Sequence, residues 1–336
     1  MKFYRWPSIE QFHHIRKSTK TYPHIYGDMS RVKYIPKVKL HGTNGAIILK
    51  RDEMYTQSRK RILNSFKDNM GFDLWFRGAK NYWEKVRDSL DEDMIVYGEW
   101  VGSGINGKTA IGSIDRKVFC AFAAHPLSGP TEELPLIVEP NNLKKLLLND
   151  KIHNDVFVIP WLENEAIEVD WSLESDSFKD VLSKANNLVY KVEKLDPFVK
   201  ETFGVEGIGE GVVYYPISHP GRYYFSTLAF KAKGEQHATI KQKKSVQVNP
   251  ELTKNVKEFV DLVLTEARLE QGAREVGDGT LSFNTKRIGD FLKWICEDVK
   301  KECKPEFEAA NLDWHPVGKM LTSKARNWYL ERFKNS

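Results

Sequence analysis

The sequence predicts an α+β fold in two parts: antiparallel sheets flanked by helices, followed by a small all-helical segment. Three observations carry this. Short β-branched and aromatic runs dominate from residue 31 to about 233. Helical stretches interrupt them without regular alternation. Behind residue 244 the apolar spacing becomes purely helical. A chain of 336 residues suits two domains better than one, and the boundary falls at 244, giving 1–244 and 245–336.

In chain order, "KYIPKVKL" (33–40), "GAIILK" (45–50), "DMIVYGEWV" (93–101), "KVFCAFAA" (117–124), "DVFVIPWL" (155–162), "GVVYYPI" (211–217) and "TLAFKAK" (227–233) read as strands. Each is bounded by Gly, Pro, Asn or Asp. "FDLWFRGAKNYWEKVRDSL" (72–90) and "SFKDVLSKANNLVYKVEKL" (177–195) read as helices. In the second part Leu252, Val256, Phe259, Val260, Val263, Leu264 and Ala267 fall at helical spacing, as do Ile288, Phe291, Leu292, Ile295 and Val299. Val317, Met320, Leu321, Trp328 and Tyr329 mark a third helix.

Composition removes several classes. With 41% apolar and 29% charged residues the chain reads as soluble and globular, and its longest apolar runs fall short of the roughly 18 residues of a membrane span. The opening "MKFYRWPSIEQF" has no apolar core of a secretory signal. Cys120, Cys296 and Cys303 are odd in number and contain no CxxC pair, which argues against a disulfide framework or cysteine zinc site and for a reducing, cytosolic setting. A net charge of +5 is compatible with a nucleic-acid partner without requiring one. His13, His14 and Tyr4 show no ligand spacing, and the run through Lys241, Lys243 and Lys244 reads as a solvated linker.

"GSGINGKT" (102–109) fits the P-loop pattern GxxxxGK[ST] and would make Lys108 a phosphate-gripping lysine. That motif needs a helix starting on its Lys-Thr. Here Gly112 and Ser113 come next, then another strand-like run, so a Gly-rich hairpin loop is expected.

Another set of motifs is ordered along the strands: KLHGTN (39–44), SRK (58–60), YGEWVG (97–102), KVFCAF (117–122), GEGVV (209–213) and FKAKG (230–234). Each puts a cation, a carboxylate or an aromatic ring on a strand or strand end. Singly they are ordinary: a strand glutamate is usually solvated, Phe122 is by default core, and alternating Lys231 and Lys233 suit a protected sheet edge. As an ordered set they resemble the covalent nucleotidyltransferase superfamily, and within it the RNA ligase 2 family. KLHGTN is similar to that family's nucleophile motif, and "FYRWPSIEQF" to its N-terminal stretch. One departure is that Phe122 is followed by Ala123, where the family usually has an acid.

The resemblance implies a ligase-type nucleotidyltransferase domain with a helical C-terminal domain, acting as an ATP-dependent RNA ligase. Lys39 would attack the α-phosphorus of ATP, expel pyrophosphate and hold AMP as a phosphoramidate. AMP would pass to an RNA 5′-phosphate, and a 3′-hydroxyl would displace it, at nicks in duplex RNA. The implied cofactors are ATP and Mg²⁺, with Mn²⁺ as substitute, and the protein would be a monomer without membrane contact. Val38, His41, Asn44, Arg59, Glu99, Phe122, Lys231 and Lys233 would bind ATP or AMP, and Glu210 with Glu99 would hold metal. The residue types agree. An amine nucleophile must be neutral, and free lysine has a pKa near 10.4, so nearby cations are needed to disfavour the ammonium form. Glu210 offers a hard carboxylate suited to Mg²⁺, Arg59 a planar fork for phosphate or ribose oxygens. Glu99 would accept from a ribose hydroxyl and Phe122 would stack on adenine, while His41 and Asn44 assist later steps. The alternatives are a capping-type guanylyltransferase, a non-catalytic nucleic-acid-binding protein on the same scaffold and, third, a P-loop NTPase.

Overall fold

The run "VKYIPKVK" forms the strand β2 (Val32–Lys39), an inner strand of a first sheet. Residues 1–21, 31–129, 134–172, 178–219, 221–233, 256–277, 281, 283–303, 307 and 312–334 are described in a computed structural model of the chain. The other strands are β1 (Glu10–Gln11), β3 (Thr43–Leu49), β4 (Met54–Ser58), β5 (Met94–Gly102), β6 (Lys117–Pro126), β7 (Val156–Val158), β8 (Ile167–Val169), β9 (Gly211–Pro216) and β10 (Phe230–Lys233). They form two five-stranded sheets, ordered β1-β10-β9-β2-β8 and β4-β3-β5-β6-β7. All pairs are antiparallel except β1–β10 and β6–β7, which are parallel.

The sheets stack face to face. Between them lies an apolar layer with Val213 and Tyr215 from the first sheet and Ile48, Ile95, Tyr97, Val118 and Cys120 from the second. The outer face of the first sheet packs on the helices Phe12–Thr21 and Lys179–Lys194 through Ile15, Leu188 and Val192. The outer face of the second packs on Phe72–Gly78 and Lys80–Asp88 through Phe72, Phe76, Trp83 and Val86. A strand covered on both faces needs apolar residues at both parities, and in β5 every residue but Glu99 is buried.

The expected fold class is present, with local differences. The helix expected over 72–90 is two, since Gly78 ends the first and a second begins at Lys80. "TLAFKAK" extends only from Phe230, because Thr227 and Leu228 close the helix Arg222–Leu228. β4 and the helix Pro197–Phe203 add to the expected elements. That helix opens on an Asp-Pro start, whose Asp196 carboxylate accepts from the Val199 amide at 3.1 Å.

The chain divides into two compact units, 1–234 and 235–336. The region around the boundary placed at 244, with Lys241, Lys243, Lys244 and Leu252, lies outside the described residues. Among its described residues the second unit contains the helices Val256–Val263, Glu266–Val276, Ile288–Glu302 and Trp314–Lys334 around Phe259, Ala273, Ile295, Leu321 and Tyr329. Its first expected helix is broken at Thr265, whose hydroxyl caps a new helix by accepting from the Arg268 amide at 3.2 Å. No described helix is long and apolar enough to cross a membrane.

Trp83 is fully buried under the second sheet. Trp83→Ala should cost about 3–5 kcal/mol of stability, read by urea denaturation of the full chain.

Candidate active site

Strand register assembles the site. In β2, Lys37 and Lys39 point to one face, two residues apart. The ladder sets Lys39 opposite Gly211 on β9, and Gly211 opposite Lys233 on β10. One step along, Lys37, Val213 and Lys231 form the parallel row. Gly211 separates the two lysines with no side chain of its own. It has φ 146°, and a Cβ there would come within 2.2 Å of the Ala232 carbonyl oxygen, so only glycine fits.

Glu210, the residue before β9, is the centre. Its carboxylate is only 2% exposed; Lys39 Nζ donates to Oε2 at 2.6 Å, and Lys233 Nζ lies 2.9 Å from Oε1. His41 Nδ1 sits 3.3 Å from Oε2. Burial alone would raise this acid, but the charges of Lys233, Lys39 and His41 hold it well below the ordinary carboxylate range. The loop delivering it is tied down by backbone bonds from Asp196 to the Gly207 carbonyl and from Gly209 to the Val192 carbonyl, both 2.9 Å.

The second sheet faces this group with Glu99, whose β5 position lies opposite Asn44 on β3 and Cys120 on β6. Burial pushes Glu99 up to about 7, opposed by Lys39; Glu210 raises it further, while Arg59 and a hydrogen bond from the Gly42 amide lower it. The glycine three residues after Lys39 is therefore a packing requirement. A Cβ on Gly42 would lie 2.4 Å from Val101 Cγ1 and 2.9 Å from Glu99 Cγ.

The remaining expected residues lie on or beside strands of both sheets. Arg59 comes directly after β4 and donates to Ser8 Oγ at 3.3 Å. Val38 is buried in the core, its backbone paired with Val212. Lys231 is half-buried on β10. Phe122 is nearly buried and occupies a bulge: β5 pairs Tyr97 with Ala123 and Gly98 with Ala121, so Phe122 is the extra residue. Its ring lies 5.0 Å from that of Trp6, which also meets Tyr97 at 4.6 Å and Phe225 at 5.0 Å.

The GSGINGKT segment is not a phosphate loop. Gly102 and Gly104 take positive φ, Asn106 does too at 51°, and the chain then enters only the short 3₁₀ turn Ala110–Ser113. The loop is a brace instead. Asn106 Nδ2 donates to the Gly42 carbonyl at 3.2 Å and the Ala110 amide to the Ile208 carbonyl at 2.9 Å, joining the loop after Lys39 to the loop before Glu210.

Two residues near the site are additional to those the motifs single out. Trp6 lies in the N-terminal stretch FYRWPSIEQF, whose resemblance to the family assigns it no role. Lys37 does give a local signal, as a cation one same-face step before Lys39. It is 1% exposed.

Chemically, the group presents the primary amines of Lys39 and Lys233 beside an imidazole and two carboxylates of opposite character. That set can bind a polyphosphate and offer a nitrogen nucleophile to it. A family model for RNA ligases matches residues 32–233, the first residue of β2 to the last of β10, and the chain belongs to the RNA ligase family. Among solved structures it is similar to a Naegleria gruberi RNA ligase mutant with AMP and Mn, at TM-score 0.46 and 15% identity over 70% of this chain and 58% of that one. The same ligase with PPi matches at TM-score 0.46 and 16% identity over 70% and 56%, and a mutant with ATP and Mn at 0.45 and 15% over 70% and 57%. The chain thus spans less than two thirds of the length of those structures. Comparison with curated proteins gives no match.

Because Glu99 is raised from 4.5 to about 7 in the folded chain, the folded state holds a proton that the unfolded state releases. Its contribution to stability is complete below about 4.5 and lost as pH rises through 7. Glu99→Gln, free of metal, should therefore be more stable than the wild-type chain at pH 8, by about 1–3 kcal/mol, with the gain shrinking towards pH 5. Equal melting temperatures of both proteins at pH 8 would contradict this.

Proposed function

We propose that the protein is an ATP-dependent RNA ligase that forms a lysyl-AMP intermediate on Lys39, transfers AMP to an RNA 5′-phosphate and joins that end to a 3′-hydroxyl, at nicks in duplex RNA. The observation that carries the reading is the buried Glu210 carboxylate shared by Lys39, His41 and Lys233, inside a segment of the RNA ligase family.

In this reading Lys39 attacks only as a free amine, so its pair with Glu210 opens first and the ammonium gives up a proton to solvent. The nitrogen lone pair then forms the N–P bond while the bond from the α-phosphorus to the bridging oxygen breaks, releasing pyrophosphate. Lys233, on the other carboxylate oxygen, keeps Glu210 compensated when Lys39 leaves. Lys231 and Lys233 stabilise phosphate charge, Arg59 and Glu99 hold ribose or phosphate oxygens, and Phe122 meets the base. Asn44 and His41 serve the later steps.

A divalent cation fits the donor set. Mg²⁺ or Mn²⁺ at a nucleotide site takes one or two carboxylates plus phosphate oxygens and water rather than a protein cage. Glu210 and Glu99 supply two carboxylates, and no group of three or more His, Cys, Asp or Glu forms a cage among the described residues. When bound, the ion would neutralise triphosphate charge.

Incubation with α-labelled ATP and magnesium, followed by denaturing electrophoresis, tests the reading. The full chain should retain label, Lys39→Ala should lose it, and Lys108→Ala should keep most of it. Lys231→Ala and Lys233→Ala should each slow labelling by about 10²–10³. Label taken from GTP instead of ATP would favour a guanylyltransferase, and no label from either would favour a non-catalytic binding protein.

The helical unit is proposed to hold the nucleic acid for joining. Lys286, Lys319 and Arg326 are exposed there, while Lys324 pairs with Asp261 and Arg287 donates to the Val276 carbonyl. Every residue assigned to adenylylation precedes 234, so a chain ending at 244 should label with AMP yet fail to join a nicked duplex RNA. Joining at the full-length rate would refute this division of labour.

A further inference from the structure

Lys37 has no part in the proposed adenylylation, yet it connects the two sheets. From β2 its Nζ crosses the interlayer and donates to the Phe122 carbonyl at 3.0 Å and the Val138 carbonyl at 2.7 Å. The first acceptor belongs to the bulge residue of β6, whose ring is assigned to the base; the second belongs to the segment bridged to β6 through Ala124 and Ile137. The ammonium lies 4.4 Å from the Trp161 ring centroid and 5.3 Å from that of Tyr215. Glu139, the acid beside it, accepts from Trp161 Nε1 at 2.7 Å.

A bulge residue is a ring on a hinge. Phe122 has no β5 partner to fix its backbone, so the orientation of its side chain depends on what holds its carbonyl. Trp6 limits the ring from one side, and Lys37 holds the backbone from the other sheet. A lysine is a costly structural tie. Burial draws its ammonium down to about 7, and apolar replacement of a buried charge is often neutral or stabilising. A lysine tip carries N–H donors for both carbonyls at once, on a stem long enough to cross from β2.

We infer that Lys37 is a positioning residue for the nucleotide: by tethering the Phe122 and Val138 carbonyls to the strand of Lys39, it sets Phe122 against the base in register with the nucleophile. The inference rests on the reading that Lys39 takes AMP from ATP. It places the determinant of base binding one same-face step from the nucleophile on the same strand, so that the two ends of the nucleotide are measured from one β-strand.

The test uses the full chain as wild type, Lys37→Met, Phe122→Leu and the double variant. The readouts are ATP half-saturation and maximal rate of covalent labelling, inhibition by inorganic pyrophosphate, and the melting-temperature shift caused by ATP. Lys37→Met should raise ATP half-saturation about tenfold, the loss of one good interaction, with maximal rate and pyrophosphate inhibition within about twofold of wild type. The double variant should be no worse than Phe122→Leu alone, because the residues act through one another. If Lys37→Met does not fold, Lys37→Gln, which keeps N–H donors on a shorter stem, should show a smaller rise of the same kind. Unchanged ATP half-saturation, a parallel loss of pyrophosphate inhibition, or additive losses in the double variant would each overturn the inference. If wild type takes no label, the proposed reaction fails, and the ATP-induced shifts still decide: equal shifts in wild type and Lys37→Met overturn the role of Lys37.

Discussion

The first unit is organised around one buried carboxylate. An ionised glutamate out of water costs several kcal/mol unless it is paired and hydrogen-bonded, and Glu210 meets that demand with Lys39, His41 and Lys233. The demand fixes the geometry. Lys39 and Lys233 reach one acid because Gly211 lies between them in the ladder, and the acid is in place because the helix Pro197–Phe203 and its loop are pinned to Val192. The arrangement holds the Lys39 amine in one orientation.

The opposing sheet supplies the contrast. Glu99 and Glu210 both feel Lys39, yet one is lifted to about 7 and the other held low. Carboxylates driven apart in this way take different tasks. Glu210 stays charged through the physiological range and suits a permanent partner for cations. Glu99 changes charge within that range and suits a contact that strengthens when a cation or hydroxyl donor comes near.

Much of this is legible in the sequence, and the reasons are local. The strands carrying Lys39, Glu99, Phe122, Glu210 and Lys233 are short apolar runs with clear breakers, so their existence and order can be read. The misleading GSGINGKT is separable because Gly112 and Ser113 deny it a helix. The illegible part depends on pairing. That Lys39 and Lys233 flank Gly211, that Phe122 is a bulge, and that Asn106 reaches Gly42 are facts of register, which one-dimensional spacing does not encode. β4 escapes a sequence reading because "MYTQS" carries few apolar residues, and the break at Thr265 because helical spacing runs through a cap.

The pairing of Lys39 with Glu210 spans 171 positions, and β2 finds its central partner only in β9. Strands joined across such a distance come together late, since loop-closure entropy must be met before any contact rewards it. A ribosome-bound chain that has exposed β2 and β3 carries Lys39 and His41 but not their sheet. Until Glu210 and Lys233 have emerged, the Lys39 amine lacks the carboxylate it pairs with and the second lysine on that carboxylate. The cluster is therefore completed at one moment in synthesis, with the closing strands of the first unit.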